Sequence, residues 1–458
     1  MKTIKRSLMA LLLLAFILGG KLASAQGNDT VRYDAYGRIV KARTPVNTEY
    51  WSGFLTFESK NQDMRTWFDL RVNFDGAHYF DKNTMNALGD GLTIRRLRFA
   101  MKTILYNHWT GEVDLNFAGG QLDVKDAFIG YLSEKNKYYF KAGYFKEPIS
   151  METTTTSRYQ TFIEEPFMTE FAPDRQLGLN FSKWDKSYLV VGGVHFNDVE
   201  NLEVTTYSQN VNKASGTDEG YSLTGKAVFR PINKDNKLIH IGIDASYRTP
   251  KTSWEFPNTY RVSMRDMTNI SRKKFLDTDD IPNVESNVLL GGELAASYKN
   301  IKFASEYLLT KVNRKEGFEN YQASGLFASV SYLVFGGLYH YNDEEGEFTR
   351  VERGKKWGDI ELAFRFDYID LNDSKAEIMG GSANGYTGGV TYHVNPNVKF
   401  MLNYSYIDHD RYANGKGKLY CGTDIDGNPT MDYTKVTEPA GKGGDDYGLI
   451  QARIEIDF

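Results

Sequence analysis

The closing stretch of the chain, Leu449 to Phe458, constrains the fold more than any other. Ile450, Ala452, Ile454, Ile456 and Phe458 fall on one face of an extended backbone, and Gln451, Arg453, Glu455 and Asp457 fall on the other. Successive side chains of a strand point to opposite sides, so this segment is a strand with one greasy and one ionic face. The same period of two recurs upstream. Phe68, Leu70, Val72 and Phe74 alternate with Asp69, Arg71, Asn73 and Asp75. Leu97, Phe99 and Met101 alternate with Arg96, Arg98 and Lys102 around Ala100, and Ile360, Leu362, Phe364 and Phe366 with Glu361, Ala363, Arg365 and Asp367. A soluble sandwich turns such an apolar face into a core, whereas a membrane barrel turns it to lipid and encloses the charges. Periodicity alone does not separate the two.

The two ends of the chain do. Lys2, Lys5 and Arg6 precede the apolar run Leu11 to Leu18, and Ala23-Ser24-Ala25 follows, the order of a secretory signal peptide over residues 1–25. The run is short for a helix of about 20 residues that would span a bilayer, and Gly19-Gly20-Lys21 breaks it. Gln26 is the expected first mature residue, and with no cysteine there a lipid anchor is not expected. An exported chain whose final strand stops on an aromatic residue resembles an outer-membrane barrel, whose terminal strand the assembly machinery reads; Phe458 is the expected contact. Composition agrees: 30 Tyr, 28 Phe and 42 Gly without a long apolar run suit strands of which only every second residue meets lipid. The lone Cys421 excludes an internal disulfide or a cysteine metal site. The 59 acidic against 55 basic residues argue against nucleic-acid binding but do not describe the lining of a lumen.

Reading back from Phe458, long and short links between candidate strands alternate: 409–446, 395–397, 371–383, then 313–320, 299–300, 248–285, 231–236, 198–219, 183–186, 146–173 and 133–136. Short inner turns and long outer loops belong to a barrel of about 16 antiparallel transmembrane strands over 65–458, an all-β fold. Tyr50 to Phe57 would make an odd extra strand, so residues 26–64 are assigned to an N-terminal periplasmic or lumen segment. The link 334–356 is too long for an inner turn.

Several motifs carry a family resemblance. They are Arg95-Arg96-Leu97-Arg98-Phe99, Trp109, Asp114-Leu115-Asn116-Phe117-Ala118-Gly119-Gly120, Lys125 to Tyr131, Gly143 to Pro148, Ser157-Arg158-Tyr159, Phe162-Ile163-Glu164 and Phe171 to Gly178. Later come Glu361 to Arg365, Asp370 to Asp373, and Asn395-Pro396-Asn397 with Asn403-Tyr404. Together they resemble the phosphate-selective porin O and P family, densely over 90–182 and sparsely over 357–408. One position departs: members usually carry arginine after the Phe-Ile-Glu motif, and this chain has Glu165. The resemblance implies a passive diffusion porin of general-porin type in the bacterial outer membrane, a homotrimer embedded in lipid. It further implies a preference for anions such as phosphate, and a constriction made by the third outer loop, 146–173.

Strand parity puts Arg71, Arg96, Arg98, Lys102, Lys141 and Lys226 on the lumen face, and Lys146, Arg158, Glu165 and Arg175 lie in the constriction-loop segment. A small anion entering a narrow passage loses water, which basic side chains replace with charge-assisted hydrogen bonds. The planar arginine fork suits phosphate, and weak, distributed binding lets the ion leave. Each of these residues, taken singly, also fits a salt-bridged polar wall, and Glu112 and Asp114 are placed to cancel part of the field. Two rivals share the fold: a general or sugar-permeating porin, and a non-conducting barrel that serves as adhesin or surface-complex partner. No catalytic residues, metal or cofactor are expected, because the seven histidines have no nucleophile or metal-ligand spacing. The acidic runs Asp277 to Asp280 and Asp343 to Glu345 read as solvated loops.

Overall fold

The computed structural model describes residues 55–80, 84–196, 220–234, 236–250, 258–265, 267–439 and 443–458, with backbone strands at 32–33, 39–40, 46–51 and 54. The expected signal peptide lies outside these residues. The chain divides into two units, 1–46 and 47–458. In the first, Arg32–Tyr33 pairs antiparallel with Ile39–Val40.

The second unit is a closed antiparallel barrel of 16 strands. They are β1 Met64–Tyr79, β2 Gly91–Leu105, β3 Trp109–Asn116, β4 Asp123–Ser133, β5 Tyr138–Lys146, β6 Arg175–Asp185, β7 Tyr188–His195 and β8 Ser222–Lys234. Then follow β9 Lys237–Arg248, β10 Val284–Tyr298, β11 Ile301–Arg314, β12 Tyr321–Leu333, β13 Asp359–Asp373, β14 Ile378–Asn395, β15 Val398–His409 and β16 Tyr447–Asp457. β16 closes on β1 in the register Asp457↔Arg71 to Leu449↔Tyr79, so the sheet keeps no open edge there.

The faces are oriented as a membrane requires. Ile454 and Ile456 are 43% and 40% exposed, while Arg453 and Glu455 beside them are 1% and 3% exposed. Phe99 also faces out, and Leu115 lies on the outer face between the exposed Val113 and Phe117. Greasy residues therefore look to lipid and ionic ones inward.

Most links follow the expected alternation, and three places differ. The outer link between β13 and β14 is only 374–377, because these strands pair past a bulge as far as Asp373↔Ile378. The segment set apart before the barrel joins the sheet: Phe54–Ser59 pairs antiparallel with the start of β1, Thr56 opposite Trp67 and Glu58 opposite Arg65. It covers the edge of β1 beyond Phe458, whose own N–H and C=O pair with Leu70. The third difference is the long inner link 334–358. The Asp359 carboxylate accepts the N–H groups of Phe335, Gly337 and Gly354 at 2.9, 3.0 and 2.8 Å, pinching the link at its base. Beyond that pinch Tyr341–Asn342 pairs with Glu347–Phe348 as a hairpin. Tyr339, Glu347 and Phe348 are buried, and the Tyr341 hydroxyl lies 2.7 Å from Nδ1 of inward-facing His240, so the hairpin sits inside the lumen.

The third outer loop, 147–174, also enters the barrel. Ile149, Met151, Phe167, Met168 and Phe171 are at most 6% exposed. They form one apolar cluster with Met264, Met267 and Phe275 of the 249–283 loop and with inward residues such as Leu308, Phe327 and Ile369. The inner face of β10–β15 is therefore apolar where loops dock and ionic elsewhere. Burying each large apolar side chain contributes about 1.5–3 kcal/mol, which fixes the loops as packed bodies.

Candidate permeation pathway

What the loops leave open is a cavity of about 880 Å³ along the inner face of β1–β6. Its wall is built by parity, with one local exception. Arg96 and Arg98 of β2 point inward as alternation requires. Between them and Ile94 the register against β1 shifts, from Asn73↔Arg96 to Phe74↔Ile94. The extra residue in that bulge is Arg95, which turns inward and donates to Glu164 at 3.1 and 3.3 Å. A second shift, from Asp114↔Asp126 to Leu115↔Val124, brings Lys125 to the cavity in the same way.

The opposite side is the third loop, held by the far wall. Asp244 and Glu306 accept the N–H groups of Ser150 and Glu152 at 3.1 and 2.7 Å. Lys302 donates to Thr161 at 2.6 Å, and Arg365 to the carbonyl of Glu164 at 2.9 Å. Glu147 at the loop base is fully buried and accepts from Ser222, Ser246 and Arg248. Toward the cavity, Arg71 donates to Ser157 at 2.7 Å, and Arg158 pairs with Asp69.

Charge along the cavity is mixed, ten basic against eleven acidic residues, so pairing decides the field. The acids of the wall are matched: Lys102 with Glu112 at 2.9 Å, Arg98 with Asp114 at 3.6 Å, Arg175 with Asp126 at 2.9 Å. Glu112, Asp114 and Asp126 approach one another closely enough to resemble a cation site, but these three bases already neutralise them. Arg96 is 6% exposed and, among the described residues, its Nη1 has no hydrogen-bond partner; the same holds for Nε of Arg71 and of Arg98. Leaving a buried donor unsatisfied costs about 1–3 kcal/mol, more for a charged group.

A family model described as phosphate-selective porin O and P matches residues 63–425. The chain belongs to that family. It is an outer-membrane porin. Among known proteins, Porin O of Pseudomonas aeruginosa is 23% identical over 378 residues, covering 75% of this chain and 82% of that one. A protein of Caulobacter vibrioides is 24% identical over 367 residues, covering 78% of this chain and 71% of its own. Among solved structures, an anion-selective porin from Comamonas acidovorans superposes with a TM-score of 0.51 at 11% identity, covering 86% of this chain and all of its own (100%). OmpT of Vibrio cholerae in a trimer form gives 0.50 at 10% identity, covering 86% and 99%. At these identities the structures speak for the fold.

In this porin, parity residues Arg71, Arg96, Arg98, Lys102 and Lys141 all line the cavity, as do Lys146, Arg158, Glu165 and Arg175. Lys141 stacks its ammonium about the rings of Phe128 and Tyr139, each 5.0 Å away. Glu165 accepts from Gln160 at 2.7 Å. Lys226 differs. It points inward but sits behind the third loop, bonded to Glu293 at 2.7 Å and 4.0 Å from Asp244, away from the cavity. The cavity also gains Arg95, Lys125 and the acids Glu344, Glu345 and Glu347 of the inner hairpin, none of which parity supplied. The 343–345 run is thus no solvated loop: Asp343 accepts from Asn233 at 2.6 Å, and its neighbours face the lumen.

Proposed function

We propose that this porin is a passive diffusion channel favouring small anions such as phosphate, with Arg71, Arg96 and Arg98 as the pathway's main recognition groups. The unpartnered buried Nη1 of Arg96 carries this reading, because a dehydrated oxyanion beside it would supply the missing acceptor. Arg95, Arg175 and Lys125 add basic charge on the same wall. The constriction is the role assigned to loop 146–173. The porin of similar fold from Comamonas acidovorans is anion-selective, which agrees with this direction.

The functional unit is proposed to be a homotrimer. β3 and β7 are 8 residues long and β5 is 9, against 15 and 18 for β13 and β14. About 9–11 tilted residues are needed to cross the hydrocarbon, so the low flank suits cover by a neighbouring copy. Phe458, 49% exposed on the outer face, is proposed as the assembly machinery's handle.

The test is the reversal potential of purified protein in planar bilayers under a salt gradient, with chloride and then phosphate. Anion preference is expected, reduced in R96A/R98A and in the milder R98Q while the folded barrel persists. Cation preference of the wild type would overturn the anion reading and favour a general porin of the same fold.

A further inference from the structure

We propose that the inner hairpin 341–348 carries a second, opposing selectivity element, in which Glu344 and Glu345 weaken anion preference at the periplasmic end of the pathway. The inference rests on reading the cavity as the conduit.

The hairpin belongs to the inner link between β12 and β13 and reaches the lumen low in the barrel. Tyr341 meets His240, the fourth residue of β9 from its periplasmic end. Arg230 donates to the same hydroxyl at 3.3 Å, and Asp343 lies 3.9 Å from that guanidinium. Gly346 runs close to Leu189 and Val228, where a Cβ would come 2.8 Å from the Leu189 methyl. The hairpin is thus wedged against the β7–β9 wall, and its tip acids are held in place.

The decisive contrast is in pairing. The wall acids Asp69, Glu112, Asp114 and Asp126 each have a basic partner within ion-pair distance. Among the described residues, Glu344 and Glu345 have none, and Asn342 donates to Glu345 at 3.4 Å. Lys141, whose charge acts on both glutamates, rests on aromatic rings and makes no ion pair with either one among the described residues. An ion descending past Arg96 therefore meets acids that no ion pair neutralises before it leaves. In a confined passage such charge is weakly screened, so it raises the exit barrier for anions and lowers it for cations. The balance of the two elements, and not the arginine wall alone, would set this chain's selectivity.

The experiment compares E344Q/E345Q with the wild type in bilayers at low salt and pH 8, where both glutamates are ionised, reading the anion-to-cation permeability ratio. A rise of at least about twofold is expected, because two charges without an ion-pair partner leave the path. D279N/D280N, which removes two acids on an outer loop where they face Arg261 and Lys416, is expected to leave the ratio unchanged. Should the double variant fail to assemble, E345Q alone, at the more exposed of the two positions, is expected to shift the ratio the same way. An unchanged ratio in the folded variants, or an equal shift in the outer-loop control, overturns the proposal. The direction of the shift is independent of the wild type's own preference, so a cation-favouring wild type would refute the anion reading and leave this test intact.

Discussion

Arg453 grips Asp75 through two hydrogen bonds of 2.7 Å, Nε to Oδ1 and Nη2 to Oδ2, across the seam where the last strand meets the first. The two residues are direct cross-strand partners, and both are at most 3% exposed. The seam closes the sheet over the longest sequence separation in the barrel, so it depends on contacts that local structure cannot supply. Removing one partner of a buried pair strands the other charge, at a cost of about 3–5 kcal/mol. R453A is therefore expected to lower the urea midpoint of barrel unfolding sharply, and R453K, which keeps the charge and loses the fork, by less. Equal midpoints for wild type and R453A would contradict a stabilising seam.

Gly325 lies under the third loop. A Cβ there would come 2.9 Å from Cβ of Met168, which is fully buried in the turn Phe167–Phe171. G325V is expected to lift this turn from β12, costing about 1–3 kcal/mol through overpacking. Single-channel conductance should rise as the loop retreats from the lumen. A lower unfolding midpoint with unchanged conductance would separate loop packing from pore width.

Glu164 links the loop to the seam, 3.1 Å from Arg95 and 3.6 Å from Arg453. Burial pushes its carboxyl up, and the guanidiniums of Arg95 and Arg453 override this and hold it at about 2. Its folded value is below its ordinary one, so its contribution is present above about 4.5 and fades as pH falls toward about 2. The docking of the third loop, read as freedom of the open channel from gating noise, should hold from neutral pH to about pH 4 and fail only in stronger acid. R95A should bring that failure to milder acid.

Glu344 behaves in the opposite sense. Burial and then the neighbouring Glu345 push its carboxyl up to about 7, with Lys141 pulling it down and Glu134 adding to the rise. A raised value means the folded hairpin favours the neutral acid; that stability is full below about 4.5 and is lost as pH rises through about 7. The charge appears over the same window. The anion-to-cation permeability ratio is expected to fall between about pH 6 and pH 8, and the fall should vanish in E344Q.

Strand period, chain ends and link lengths made the barrel and its strand number legible, because a membrane wall imposes strict alternation. Rules that alternation does not contain decided the remainder. Arg95 has outward parity, and only the bulge at Asn73/Phe74 turns it in; the signal was a second arginine at a position that would otherwise face lipid. Lys226 kept its inward parity yet fell behind the third loop, since parity names a face and not a depth. The hairpin 341–348 was visible only as a link too long for its side of the barrel. Its acids looked like solvent groups because nothing local reveals that Tyr339 and Phe348 pull the link into the lumen.

The most direct test of an ionic interior within an apolar exterior uses neighbours on β2, Arg98 at 13% side-chain exposure on the lumen side and Phe99 facing lipid at 39%. Each is replaced by cysteine in a C421S background, and a charged, water-soluble thiol reagent is added to the open channel. R98C is expected to be modified with a fall in current, and F99C to remain unmodified in lipid. Blockage of F99C with R98C untouched would mean that the greasy face, and not the arginine face, encloses the water.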